Sequence, residues 1–244
     1  MSPRQSIHRP HVKSIEISYI GCKELRHILG TELNRGKIII IAEYFRPMRN
    51  SAAVQLEELA KACCVLGIEP VFIVMDPVLD GGFLQEKIPG VGAVYRFSVP
   101  DKRRGGFIYR TIVELLSPFI VKRSIAKNQI VFGNVAGVVW YSPTIFMGPL
   151  VKFLVHRLKC PSYLILRDIF PTWAIDLGLI HKWSLPTYIF RLIEDYQYRQ
   201  ASVIGVQAKA NIGYLEGKPE LGARIETLNN WTFNAGIEVQ SASA

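Results

Sequence analysis

Side chains able to do chemistry fall in three stretches of this sequence, each directly after an apolar run. Arg167-Asp168-Ile169-Phe170-Pro171-Thr172-Trp173, continuing to Asp176-Leu177-Gly178-Leu179, sets a guanidinium and a carboxylate at the mouth of such a run. Burying that pair is costly unless the two charges meet each other or a ligand. Arg167 and Asp168 are therefore read as catalytic candidates, with function favoured over structural pairing. Glu43 to Ser51 combines Arg46 and Arg49 with Asn50 and Ser51, either of which can cap a following helix. The open N–H groups of that helix start, with the two arginines, favour an anion such as phosphate. A capped, solvated loop fits the same residues equally well. Tyr141-Ser142-Pro143-Thr144 offers hydroxyls, but no histidine is placed to activate Ser142 or Thr144 as a nucleophile, so a capping role is the stronger reading. Glu194 and Asp195, among aromatics on a helical stretch, read as a solvated face.

The elements that must position these loops follow an alternating pattern. Short β-branched runs at Lys37 to Ala42, Pro70 to Met75, Ala93 to Val99, Val138 to Tyr141, Ser162 to Arg167, Ser202 to Val206 and Ile225 to Leu228 read as strands. Between them lie stretches of helical period at Ser51 to Gly67, Phe107 to Ala126, Ile145 to Leu158, Pro186 to Gln200 and Ala208 to Glu216. The first helix has Ala52, Leu56, Leu59, Ala60 and Cys63 at three- and four-residue steps and ends at Gly67. This is an α/β chain with a doubly wound, mostly parallel, Rossmann-like sheet, and ligands of such sheets bind outside the carboxyl ends of the strands. The domain is expected over 37–231, after an extension over 1–36 and before a tail over 232–244.

Composition limits the classes of function. With 244 residues, 49% of them hydrophobic, the chain can fill a full core. Its formal net charge of +9, clustered at Lys102-Arg103-Arg104, Lys122-Arg123 and Lys152, Arg157 and Lys159, points to an anionic partner. Anionic lipid, a phosphorylated substrate and nucleic acid all satisfy that charge, but no nucleic-acid-binding signature accompanies it. The four cysteines form no C-x-x-C, and His156 and Cys160 alone are two ligands short of a closed zinc site. No signal-peptide h-region is present, which predicts a cytoplasmic protein. The uncharged stretch Asn128 to Val151 is long enough to span a bilayer, but Gly133, Gly137, Pro143, Gly148 and Pro149 break it up, so a strand, a loop and a helix start are expected. Absence of G-x-G-x-x-G, of a P-loop, of G-x-S-x-G and of kinase motifs disfavours dinucleotide enzymes, NTPases and α/β hydrolases.

In this order, several segments resemble the N-terminal domain of retaining GT-B glycosyltransferases of family 4, the bacterial group 1 transferases of O-antigen, capsular and exopolysaccharide synthesis. They are Lys37 to Val71, with a Y-F-x-P loop and with Leu59, Ala60 and Gly67 matching the family's L-A-x-x-L-x-x-x-G helix end; Leu166 to Ile180, similar to the D-x-[WF]-P stretch of aminosugar transferases; Glu194 to Glu216; and Thr227 to Trp231, similar to the strand before the second domain. The resemblance covers Lys37 to Trp231. It implies an acceptor-side half-domain working without metal or bound cofactor, with a nucleotide sugar, a UDP-sugar by preference, as co-substrate. It places the loop Arg46, Arg49, Asn50 and Ser51 near the donor phosphates and Asp168 toward sugar and acceptor; Tyr141, Ser142, Thr144 and Asp176, in the loops after the strands, are further substrate-binding candidates by position. It implies a lipid-linked or saccharide acceptor, and the basic clusters then suit peripheral association with the anionic inner face of the plasma membrane. The sequence departs from the family in three ways. Arg49-Asn50-Ser51 stands where many relatives have glycines, Arg167 stands where many have His, and no donor domain with its paired-glutamate motif follows. The expectation is therefore that this chain alone is inactive, as a truncated transferase or as the partner of a separate donor-domain chain.

Overall fold

The computed structural model describes residues 36–47, 50–218 and 221–231. These build one eight-stranded sheet of order β3-β4-β2-β1-β5-β6-β7-β8, parallel throughout except for the edge strand β3. The fold is α/β and Rossmann-like, as the alternation of apolar runs implies. Strand β1 (Lys37–Ala42) is central because Ile38, Ile39, Ile40 and Ile41 are buried on both sides. Alternate residues point to opposite faces. Ile38 and Ile40 meet the helix α1 (Ser51–Val65) through Leu56, Leu59 and Cys63. Ile39 and Ile41 belong to the core under α2 (Phe107–Lys127) and α3 (Gly148–Leu158).

From β1 the chain winds outward through β2 (Glu69–Asp76) to β4 (Gly92–Ser98). It then returns to pair β5 (Val135–Ser142) against the other side of β1 and winds away through β6 (Ser162–Leu166), β7 (Val203–Val206) and β8 (Arg224–Thr227). The strand order reverses between β1 and β5, and α1 and α3 leave these strands on opposite faces, which opens a crevice at their carboxyl ends. Among the described residues the remaining helices are α4 (Thr172–Asp176), α5 (Leu185–Tyr198) and α6 (Ala210–Glu216), with a single 3-10 turn at Lys102–Arg104.

Strand β3 (Phe83–Ile88) was not expected from the sequence. It is an exposed antiparallel edge with Gln85, Glu86 and Lys87 at its centre, polar because an edge strand has little to bury. The hairpin to β4 closes at Gly92, whose φ is 115°; a side chain there would lie 2.2 Å from the Pro70 carbonyl oxygen. Helix α3 starts at Gly148 and not at Ile145. Gly148 lies where α5 crosses, and a Cβ would come 2.8 Å from the Tyr196 ring. Residues 128–151 form a turn, β5, a loop and the start of α3, and no helix among the described residues is long and apolar enough to cross a membrane. The extension expected over 1–36, save Gly36, and the tail over 232–244 lie outside the described residues.

Candidate functional site

The carboxyl rim of the sheet has two unlike halves. On the side of β1 and β4, Lys102 at the 3-10 turn reaches down between Glu43 of the β1 loop and Glu114 of α2, bonding to both, the latter at 2.7 Å. Arg110 adds a bond to Glu114 at 3.0 Å, and the Lys102 ammonium sits 5.3 Å from the Tyr44 ring centre. Burial pushes the Glu43 carboxyl above its ordinary value, and the Lys102 charge opposes that shift without reversing it. Burial alone would lower Lys102, but its two carboxylates together hold it above the usual lysine range. Lys102 therefore stays charged at neutral pH, and Glu43 is the more easily neutralised partner. A small pocket beside this group is lined by Met75, Val99, Thr144 and Met147. It lies at the strand-order reversal, where ligands of open α/β sheets bind.

In the sequence Glu43, Tyr44 and Lys102 stand out only as parts of a loop and a charge cluster. The signal was hidden because the partners are separated by 59 residues in one pair and 12 in the other.

On the side of β6 to β8, Arg167 extends from the end of β6 over the ring of Tyr141, 5.5 Å from its centre. Its guanidinium bonds to the Asn230 amide oxygen. It also faces the Gln207 amide, which accepts from Arg167 Nε at 2.8 Å when its oxygen is turned to the guanidinium; the opposite orientation would set donor against donor. Gln55 of α1 donates to the same Asn230 oxygen at 3.2 Å, and the Trp231 indole N–H donates to the Gln55 carbonyl at 3.0 Å. These contacts tie the exit of β8 to the first turns of α1. Among the described residues Arg167 has no carboxylate partner. A guanidinium held by neutral amides keeps its whole charge available to an anion. Burial raises the Tyr141 phenol above its ordinary range, with Arg167 opposing the shift.

Other expected site residues are placed differently. Arg167 and Asp168 do not pair with each other, and Asp168 is exposed, with no hydrogen bond or ion pair to a described residue. The anticipated cost of burying that pair therefore does not arise. Arg46 is engaged by Glu57 of α1 through both Nε, at 2.7 Å, and NH2. Asn50 caps α1, accepting from the Ala53 N–H at 2.8 Å, and Ser51 is the first helical residue. Arg49 lies outside the described residues.

Neither Ser142 nor Thr144 caps α3, contrary to expectation, because that helix begins beyond their reach. Ser142 Oγ donates to the Thr144 carbonyl, Thr144 Oγ1 accepts from the Phe146 N–H at 3.2 Å, and Gln197 of α5 donates to Ser142 Oγ at 2.9 Å. The two hydroxyls thus shape the loop and lock it to α5. Asp176, at the end of α4, is exposed. Glu194 is not on a solvated face. It is wholly buried and accepts from Tyr214 Oη at 3.0 Å and Lys218 Nζ at 2.9 Å, with Lys218 also bonding to Asp195. Burial raises the Glu194 carboxyl, and Lys218 opposes the shift. His156 lines an open groove while Cys160 is buried, and no group of three or more metal-binding side chains forms among the described residues.

With this geometry, no family model matches the sequence and no curated protein matches it. Solved structures do match the fold. The chain superposes on a structure described as trehalose-6-phosphate from E. coli bound with UDP-2-fluoro glucose, with TM-score 0.55 at 11% identity over 80% of this chain and 48% of that one. It superposes on an OtsA apo structure with TM-score 0.52 at 14% identity over 79% and 48%. The fold is thus that of a Rossmann-like GT-B half-domain. The chain spans about half the length of these structures.

Proposed function

We propose that this chain is the acceptor-side half of a retaining, nucleotide-sugar-dependent glycosyltransferase of family 4 type, acting in bacterial surface polysaccharide synthesis at the cytoplasmic face of the membrane. The observation that carries the reading is the rim at β6 to β8 in a GT-B half-domain. Arg167 is held by amide oxygens and the Tyr141 ring without a carboxylate partner among the described residues, and Asp168 stands unpaired beside it. A departing nucleoside diphosphate develops negative charge, and a fixed cation with no carboxylate of its own stabilises that charge. In this reading Asp168, exposed at the same loop, meets a sugar or acceptor hydroxyl.

The donor is a UDP-sugar and the acceptor a saccharide on a lipid phosphate. Charge stabilisation of the leaving group needs convergent donors from both walls of the cleft, and the rim described above is one wall. A separate donor-domain chain would supply the other. The test is calorimetric titration of the 244-residue chain with UDP and a panel of UDP-sugars, beside an assay of sugar transfer to a polyprenyl-phosphate-linked acceptor. The expected outcome is UDP binding no tighter than about millimolar and no turnover until a donor domain is added. Micromolar UDP binding with turnover by the chain alone would overturn the assignment of a half-site.

A further inference from the structure

Helix α5 is apolar on its outward side as well as its inward one. Its sheet side buries Thr187, Phe190, Glu194, Gln197 and Tyr198, whereas Leu185, Tyr188, Ile189, Leu192 and Tyr196 are exposed. At the angular step of an α-helix those five fall within an arc of about 100°. Helix α2 repeats the pattern. Its outward residues Ile108, Ile112, Leu115, Leu116 and Phe119 also share an arc of about 100°, and Ile108 is 75% exposed. A solvated helix carries charge on that side. Scattered exposed leucines are ordinary, but two apolar stripes on helices of one layer are not.

Helix α3 lies between α2 and α5 and joins the stripes through an open groove lined by Phe119, Lys122, Lys152, Phe153, Arg157 and Tyr196. The cations lie over aromatic rings, Lys122 at 5.6 Å and Arg157 at 5.7 Å from Phe153 and Lys152 at 5.8 Å from Tyr196. None of the three has a carboxylate partner among the described residues. Helix α3 itself carries no acidic residue.

We propose that the α2–α3–α5 face docks on an anionic bilayer, its two stripes entering the boundary between headgroups and acyl chains and Lys122, Lys152 and Arg157 meeting lipid phosphates. Charge decides the occupant. A second copy pairing through the same face would set these cations against each other, whereas an anionic surface pairs all of them. Both stripes begin at the carboxyl rim, since α2 follows β4 and α5 follows β6. A lipid-borne acceptor could therefore reach Asp168 with its tail still in the membrane; that clause alone rests on the transferase reading, and the docking does not.

The experiment is co-sedimentation of the full chain with phosphatidylcholine vesicles, plain or with about 30% phosphatidylglycerol, and contains no sugar nucleotide. Binding is expected only to the anionic vesicles. It should weaken about tenfold or more in Ile112→Glu/Leu116→Glu, in Leu192→Glu and in Lys122→Gln/Lys152→Gln. Unfolding curves should match the parent because these side chains are exposed, and Ile112→Gln/Leu116→Gln replaces the first pair if its curve shifts. No binding to anionic vesicles, or binding that the variants leave unchanged, overturns the proposal. So does a solution dimer that the same variants disperse.

Discussion

The two halves of the carboxyl rim treat positive charge in opposite ways. On the side of β1 and β4 three cations are answered by carboxylates: Lys102 by Glu43 and Glu114, Arg110 by Glu114, Arg46 by Glu57. On the side of β6 to β8, Arg167 meets the amides of Asn230 and Gln207 and the ring of Tyr141, and no carboxylate among the described residues. The first arrangement closes its own electrostatics and holds the loops after β1 and β4 against α2. The second leaves a unit of charge facing the cleft. One half of the rim uses its charge for cohesion and the other leaves a guanidinium without a carboxylate, although both arise from loops that look alike in sequence.

The largest expected effect comes from breaking the cohesive half. Lys102→Met leaves Glu43 and Glu114 facing each other, both largely buried. Removing one partner of a buried ion cluster costs about 3–5 kcal/mol, to be read as a drop in unfolding free energy in urea. A drop below about 1 kcal/mol would mean that the cluster is open to water and the contrast with Arg167 is lost. Arg167→Met should do the reverse. Pyrophosphate or UDP affinity is expected to fall about tenfold or more, the loss of charged hydrogen bonds worth about 1.5–3 kcal/mol, while stability changes by less than about 1 kcal/mol because water can take over the amides at the rim. Unchanged pyrophosphate affinity by calorimetry would remove the ligand-facing role of that half.

A third prediction concerns pH. The Glu43 carboxyl is raised in the folded protein above its ordinary 4.5, so the native state binds more protons than the unfolded chain just above that pH. Its contribution is fully present below 4.5 and is lost as pH rises through the folded value. Stability should therefore fall with rising pH over that window, and Glu43→Gln should flatten the slope. Glu194, raised for the same reason, should preserve part of it. A slope identical in parent and Glu43→Gln would show that Glu43 is solvated in solution.

The sequence revealed the sheet well and the rim poorly, and the reason is physical. A buried parallel strand must be apolar along its whole length, so β1, β2 and β6 stand out as runs, and the reversal of winding that locates the crevice follows from their order. Strand β3 was invisible because an edge need not be apolar. Helix α1 was readable because its signals are local, namely an Asn50 cap and an apolar period. By contrast, the meaning of a charged side chain depends on what lies opposite. Glu43 and Lys102, Arg167 and Asn230, and Glu194 and Lys218 are all joined by tertiary contact. Nothing near Glu194 in sequence distinguishes a solvated carboxylate from one that is wholly buried. Ser142 and Thr144 were read as caps because their helix was expected three residues too early; the close approach at Gly148 that sets its true start is also a tertiary fact.

The smallest expected effect is also the sharpest discriminator, because it compares two arginines on one rim. Resemblance puts Arg46 near the donor phosphates, but in the structure the Nε–NH2 edge of its guanidinium is taken by both carboxylate oxygens of Glu57. Arg46 is substantially exposed, and Glu57 keeps a second partner in Lys61 at 3.0 Å, so Arg46→Ala strands no buried charge. Exposed pairs of this kind contribute about 0.2–1 kcal/mol, and a shift of that size or smaller is expected in urea unfolding. Pyrophosphate affinity should stay within about twofold of the parent, since a guanidinium already neutralised by a carboxylate has little attraction left for a second anion. If Arg46→Ala instead weakened pyrophosphate as much as Arg167→Met, the β1 loop would have to leave Glu57 when a ligand arrives. The two halves of the rim would then differ only in the empty state.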